Sequence, residues 1–379
     1  EPAGTAAEHS LTITGNATAA GDTVPVIDGR RIIASIASGA TPTEQAAVLA
    51  DAINAQSAEL QVTAAAALGV VTLTATTDGV NGSDLTVTIE KAAPGTSIAV
   101  AEETAGAGVL DITDALDAVA TDQYDWLVPE NHAAADVADL ATHMAETWDA
   151  GIKRWRFSLI GETGDLATVD ALATAADDFK QAFVWSEDNP ARPGEIAAYV
   201  GMIYAARAPT RNTTLNGTEL PRLPLPPKAS WPQPGINGEQ QAAMAGGAAV
   251  LAPNAAGTRM TIVRAISSKT THDGVAFKAM IDTLIAEGMV YVARQLEIAW
   301  AEFSDAKQTS RVRSAIRSKS LSRLKLIEGL EVIQNVEAHK GELQVVPDPE
   351  DATASVVAVP TSVVPGLSKL IGVLNLKVE

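Results

Sequence analysis

The residues able to do chemistry are few and scattered. The chain holds five histidines, His9, His132, His143, His272 and His339, and no cysteine. A serine-type nucleophile needs a histidine base beside it and a carboxylate to orient that base. None of the five histidines lies in a local sequence of that kind, and the nucleophile elbow G-x-S-x-G does not occur. His272 precedes Asp273 and Gly274, which predicts a turn. Without cysteine there are neither disulfides nor thiolate metal sites. The stretch DGVNGSD, Asp78 to Asp84, spaces oxygen ligands, but not at the intervals of a calcium loop and without its closing glutamate. A tight turn is the expectation there. GETG, Gly161 to Gly164, lacks the spacing of a dinucleotide-binding turn, where glycines bring backbone up to phosphate at a helix N-terminus. No Walker-type lysine loop is present. Asp177 and Asp178 are adjacent on an expected helix and diverge by about 100°, so they read as a solvated face and not as an acid/base pair. No catalytic residue, metal or cofactor is expected.

Charge is distributed unevenly. The net charge is -19, yet KQTSRVRSAIRSKSLSRLK, Lys307 to Lys325, carries seven basic residues and no acidic one. Arg313 and Arg317 lie one helical turn apart, so a helix here bears a positive stripe. Such a stripe is a solvated face or a docking surface for an acidic partner. Nucleic acid is a weaker reading, because no aromatic side chains interleave with the charges. The acidic whole also repels nucleic acid and anionic lipid. The longest apolar run, AAMAGGAAVLA from Ala242, is too short to cross a bilayer. No signal peptide is visible, and the lack of cysteine fits a cytoplasmic folding environment. The sequence opens at Glu1 without a methionine, which leads us to expect that an N-terminal piece is missing.

The elements that must position these residues fall into three blocks. Residues 1–105 are rich in Thr, Ala, Val and Gly, with only Arg30, Arg31 and Lys91 basic. LTIT (Leu11 to Thr14), VTLTAT (Val71 to Thr76) and LTVTIE (Leu85 to Glu90) alternate as half-buried strands do. Between them Thr41, Pro42 and Glu44 form the start of a helix, with a capping box and proline in the first turn. Val48, Leu49, Ala52 and Ile53 then supply its apolar stripe. The block reads as a β-rich module with one helix. Residues 106–235 alternate strands (Tyr124 to Pro129, Arg154 to Gly161, Gln181 to Ser186) with helices (Asp136 to Trp148, Asp165 to Phe179, Arg192 to Arg207). That grammar predicts a doubly wound, mostly parallel α/β sheet. It ends in a connector, Glu219 to Gly235, whose six prolines favour an extended arm. Residues 236–379 read as an α+β unit. It has a helix from about Gly238 to Leu251, a strand from Thr258 to Ser267, and a helix from Asp282 to Phe303 with Leu284, Val292, Leu296 and Ile298 apolar. The basic helix follows, then strands at Gln344 to Val346 and Ser355 to Val359. The chain closes on LSKLIGVLNLKVE, where Leu374, Leu376 and Val378 alternate with Asn375, Lys377 and Glu379 as a strand with nothing after it to pair with.

The later segments, taken in order, are similar to a known family. LPRLPLPPKASW, then INGEQQAAMAGGAAVLAP, then TRMTIVRAISSKTTHDGVAF, resembles the contractile tail sheath proteins of Mu-like bacteriophages. Ile262, Val263, Arg264 and Ile266 hold the family's strand, with Ser267 and Ser268 in place of its usual threonines. GMVYVARQLEIAW resembles the following helix, with an alanine between Val292 and Arg294 where valine and arginine are often adjacent. PTSVVPGLSKLIGVLNLKVE resembles the closing segment. The similarity spans about Val109 to Glu379, and the first hundred residues resemble the variable module such sheaths carry outside. The resemblance implies a non-enzymatic subunit of hexameric rings stacked helically around an inner tube. Contraction of that sheath drives the tube through a target envelope, in a phage tail or a related contractile injection machine. It implies as partners copies of the chain itself, an inner tail tube protein, and baseplate and tail terminator proteins, with no nucleic acid and no direct membrane contact. It implies a virion tail location after assembly in the host cytoplasm. On this reading Leu374, Leu376 and Val378 add a strand to a neighbouring copy; the alternative is pairing within the same subunit. Arg311, Arg313, Arg317, Lys319 and Arg323 become candidates for contact with the inner tube. A reading from another class is an α/β enzyme with an adhesive β module.

Overall fold

Alternation of threonine with aliphatic residues becomes two antiparallel sheets at the start of the chain. The computed structural model describes residues 4–108, 111–130, 132–149, 152–206, 213–235, 237–277, 279–351 and 353–365. The first block contains β1 (Ala6–Thr14), β2 (Gly21–Ile27), β3 (Arg30–Arg31), β4 (Ala34–Ile36), α1 (Pro42–Asn54), α2 (Ser57–Leu60), β5 (Val62–Ala67), β6 (Val70–Asp78), β7 (Val87–Lys91) and β8 (Ser97–Thr104). One sheet has the order β5-β6-β1-β8; in the other β2 pairs with β3, β4 and β7. Along β6 the residues Val71, Leu73 and Ala75 are buried and the threonines between them are half-exposed. Each buried aliphatic side chain contributes up to about 1.5–3 kcal/mol. Thr41 caps α1 in a complete capping box with Glu44, and Pro42 opens the helix, as the sequence predicts. The buried face is Gln45, Ala46, Leu49, Ala50 and Ile53. Val48, expected on that face, is exposed, because it lies about 100° around the helix from Leu49. Leu11, Ile27, Leu49, Ile53, Val62 and Leu73 form one core shared by both sheets and the helix.

The second block contains α3 (Thr113–Val119), β9 (Trp126–Leu127), α4 (Ala134–Thr147), β10 (Phe157–Glu162), α5 (Leu166–Ala176), β11 (Gln181–Trp185), α6 (Pro193–Ala206), β12 (Glu219–Leu220), α7 (Glu239–Gly246), β13 (Ala248–Pro253) and β14 (Met260–Ile262). These give a six-stranded sheet of order β12-β14-β13-β11-β10-β9. β9, β10, β11 and β13 are parallel, and β14 runs antiparallel between β13 and β12. Ile160, Phe183, Trp185 and Val250 face α4, α5 and α7, while Leu159, Val184, Leu251 and Ile262 face α6 and the connector. Both faces are therefore covered, as a parallel sheet requires. The parallel strands β9, β10, β11 and β13 follow one another in sequence order, so among them the reversal that defines a doubly wound sheet and its ligand crevice is missing. The sheet also crosses residue 235, since β13 and β14 complete it from beyond the connector.

Two element expectations are corrected in this block. The helix expected from Gly238 to Leu251 stops at Gly246, where Gly247 adopts φ +97°; the apolar run that follows is the buried strand β13. A short apolar run in a sheet interior has no period to tell it from a helix. The strand expected from Thr258 to Ser267 pairs only over Met260–Ile262, and Ile266 makes an isolated bridge to Asp282. The proline-rich connector is no free arm either. Its Leu220 and Leu223 are buried against the sheet, and Glu219–Leu220 pair with β14 as the edge strand β12.

The last block contains β15 (Thr271–His272), β16 (Val275–Ala276), α8 (Thr283–Trp300), α9 (Ser310–Glu328), α10 (Val336–His339), β17 (Gln344–Pro347) and β18 (Ser355–Ala358). The turn predicted at His272 joins β15 to β16 through Asp273 and Gly274, both at positive φ, as a two-residue hairpin loop requires. Val292, Leu296, Leu324, Ile327, Ile333 and Leu343 form the core between α8, α9 and the segment after them. Phe157 packs with Ala286 and Val290 and so ties α8 to the central sheet. Among the described residues no helix is long and apolar enough to cross a membrane.

Candidate assembly surface

The basic helix is held by the structure around it before it meets anything else. Thr309 caps α9, its Oγ1 accepting from the backbone N of Val312 at 3.2 Å. Arg317 donates from Nε to the carbonyl of Leu343 at 2.8 Å and from Nη2 to that of Lys340 at 2.6 Å. It thereby fixes the turn that leads into β17. Lys319 pairs with Glu302 at 2.8 Å, and Arg323 donates to the side-chain oxygen of Gln295 on α8. Arg313 reaches Gln308 at 3.4 Å. Lys325 pairs with Glu337 on α10 at 2.8 Å; hydrogen bonds from Lys325 and Lys340 hold the Glu337 carboxyl down at about 2. Arg311 is exposed and takes part in no ion pair among the described residues. In sequence this segment is one uniform positive stripe. The structure divides it into an intramolecular brace, chiefly Arg317 and Arg323, and a smaller outward set.

Beside that set lies apolar surface. Ile298 on α8 and Leu326 on α9 are 65% and 61% exposed. Together with Ala299, Lys319, Ser322 and Arg323 they line a groove of about 390 Å³ between the two helices. Of the apolar positions read on this helix, Leu284, Val292 and Leu296 are buried and Ile298 faces out. Large exposed aliphatics rimmed by charge mark an interaction surface better than scattered ones do.

The hairpin β17–β18 forms a second part of this surface. Its strands pair only with each other among the described residues, so each has an outer edge with unpaired backbone groups. Val345 and Val357 stand opposite one another, as do Val346 and Val356. Val357 packs on the α8–α9 core, whereas Val346 and Val356 are 44% and 45% exposed. The Oγ of Ser355 and the side-chain amide of Gln308 bond reciprocally at 2.8 and 3.0 Å, tying the hairpin to the start of α9. Further on, the chain runs beside Val332 to Gln334: Gln334 N donates to Ser362 O at 2.8 Å, and Val364 N donates to Val332 O at 3.0 Å. Leu374, Leu376 and Val378 lie outside the described residues. The reciprocal Gln308–Ser355 contact and the Arg317 clamp were invisible in sequence, since their partners lie 47 and 23–26 residues away.

The architecture is thus a β-rich module, an α/β body, and a helical unit with an open-edged hairpin. No protein-family model matches the chain and no curated protein matches its sequence. Among solved structures, this fold is shared with sheath tail proteins. The sheath tail protein of Listeria innocua aligns over 94% of this chain and 72% of its own, with a TM-score of 0.53 and 10% identity. The sheath tail protein of Desulfitobacterium hafniense aligns over 96% of this chain and 82% of its own, with a TM-score of 0.50 and 13% identity. Likeness at such identities establishes the fold, and function is argued separately.

Proposed function

We propose that the chain is a structural subunit of a contractile tail sheath or of the sheath of a related injection machine. Its copies polymerise around an inner tube, and contraction drives the tube through a target envelope. The observation that carries this reading is the fold shared with sheath tail proteins over nearly the whole chain, the β-rich module included. The ordered motifs after the connector support it independently and favour a Mu-like member. In this reading the chain does no bond-making chemistry. Its partners are further copies of itself and the tube, with baseplate and tail terminator proteins at the two ends, and it resides in the virion tail after assembly in the host cytoplasm.

Contact between copies is by strand exchange. The terminal strand, carrying Leu374, Leu376 and Val378, adds to the open edge of a neighbour's β17–β18 hairpin, where backbone hydrogen bonds supply the hold and alternate side chains the register. The tube is met by the outward basic set, Arg311, Arg313 and Lys319, beside the exposed Ile298 and Leu326. Arg317 and Arg323, turned inward, shape that face instead of touching the tube. Co-sedimentation of the protein with its tube tests the assignment. Arg311→Glu combined with Lys319→Gln, which removes the second charge without setting a carboxylate against Glu302, is expected to abolish co-sedimentation and leave the urea midpoint nearly unchanged, as surface substitutions do. Undiminished co-assembly of that double variant would refute the tube contact.

A further inference from the structure

The N-terminal module rests on the α/β body through a cluster of charges that are packed against one another. Asp28, in the turn after β2, is buried; one carboxylate oxygen accepts from Arg192 Nε at 2.7 Å and the other from the backbone N of Thr86 at 2.9 Å. Thr86 Oγ1 donates to the carbonyl of Pro190 at 3.0 Å. At the rim, Arg30 meets Glu195 at 2.9 Å. The start of α6 packs directly onto β10, where Gly161 has no side chain: a Cβ there would fall 1.8 Å from the carbonyl oxygen of Pro193. In the same junction the partly buried Asp84 lies 3.9 Å from His132. Glu162, the last residue of β10, is 4% exposed. Its Oε1 accepts from the backbone N of Thr163 and Gly164 at 2.9 and 2.6 Å, and its Oε2 is buried with no hydrogen-bond partner. Nη1 and Nη2 of Arg192 are buried without partners too.

The groups that face Asp84 are Glu162 and Glu130, which oppose its charge, and Arg192 and His132, which favour it. Asp28 already holds one side of Arg192. Carboxylates therefore exceed the cations available to them, and with Asp28, Glu162 and Arg192 buried and Asp84 partly so, water screens their repulsion incompletely. A cavity of about 380 Å³, lined in part by Asp28, Glu130, Arg192 and Glu195, adjoins the cluster. It offers no anion site, because the free guanidinium nitrogens of Arg192 are themselves closed off.

We propose that this seat is proton-controlled: the N-terminal module sits more tightly on the body when Asp84 is protonated and loosens when Asp84 ionises. Burial first, then Glu162 and Glu130, push the Asp84 carboxyl up to about 6, against the pull of His132 and Arg192. Burial raises Asp28 as well, with Arg192 opposing. Lifted into water, both carboxyls return to ordinary values near 3.9. A carboxyl raised in the seated state stabilises seating fully below that ordinary value, and the gain is lost as pH rises through about 6. Acid therefore tightens this junction. The inference stands on the junction alone and does not depend on the sheath reading.

Hydrogen–deuterium exchange of the whole chain, corrected for the intrinsic pH dependence of exchange, tests it. Peptides covering 82–90 and 188–196 are expected to gain roughly tenfold protection between pH 7.5 and pH 5. Peptides from β10 and β11 are expected to stay level. Asp84→Asn, which is neutral at every pH, should raise the protection of the junction peptides at pH 7.5 and shrink their pH response to the part that Asp28 contributes. Protection that does not change with pH in the native chain would overturn the proposal. So would a change shared equally by β10 and β11, or a pH response undiminished in the Asp84→Asn variant.

Discussion

Asp177 shows what a single residue can do once its distant partners are known. It ends α5 in the left-handed region, φ +38°, and its carboxylate gathers the loop before β15. The backbone N of Thr270 and of Thr271 donate to it at 2.8 and 3.0 Å, the Thr271 hydroxyl at 2.6 Å, and Lys269 pairs with it at 3.2 Å. Burial alone would raise this carboxyl, but the hydrogen bonds from Thr271, Thr270 and Lys269 overcome it and hold it at about 2. A depressed carboxyl stabilises the fold above its ordinary pKa, and that contribution fades as pH falls through about 2. Asp177→Asn keeps a residue tolerant of the left-handed region and removes the charge. It is expected to cost about 1–3 kcal/mol at pH 7 in urea unfolding, with the difference from the native chain shrinking toward pH 2. The expected solvated face at Asp177 and Asp178 was therefore wrong. Its partners lie 92–94 residues away, and nothing local to the pair announces them.

At the scale of the element, legibility followed the strength of local rules. The capping box at Thr41, the hairpin turn at His272 and the alternation along β6 were readable because the reason for each lies within a few residues. β13 was misread because a fully buried strand carries no periodicity. Val48 was misplaced because an apolar residue one position off the buried face looks no different in sequence. The same limit applies to α9, whose spacing shows a positive helix but not which cations are used internally. Arg317→Ala removes two hydrogen bonds that hold the turn before β17. The expected loss is about 1–3 kcal/mol, read as a lowered urea midpoint. Arg311→Ala should leave the midpoint unchanged, since no partner within the described chain is lost. Equal losses in the two variants would contradict the division of this helix into brace and contact face.

For the whole molecule, composition and element order carried the reading a long way. The mixed α/β character and the likeness to sheath proteins were visible before the fold. The sheet's extension beyond residue 235 was not, because β13 and β14 join it across a connector whose prolines read as an arm; burial of Leu220 and Leu223 keeps that connector on the sheet. The proposed function rests on repetition. One added strand gives only a few backbone hydrogen bonds, each worth about 1 kcal/mol, so a lone link is weak and a ring of links is strong. The central claim is that copies of this protein hold one another by their edges. Negative-stain electron microscopy of the protein, concentrated beside a Leu376→Pro variant that cannot keep the strand ladder, tests it most directly. The account predicts rings or tubes from the native protein and solitary particles from the variant. Solitary particles from the native protein at every concentration, or unaltered tubes from the variant, would contradict it.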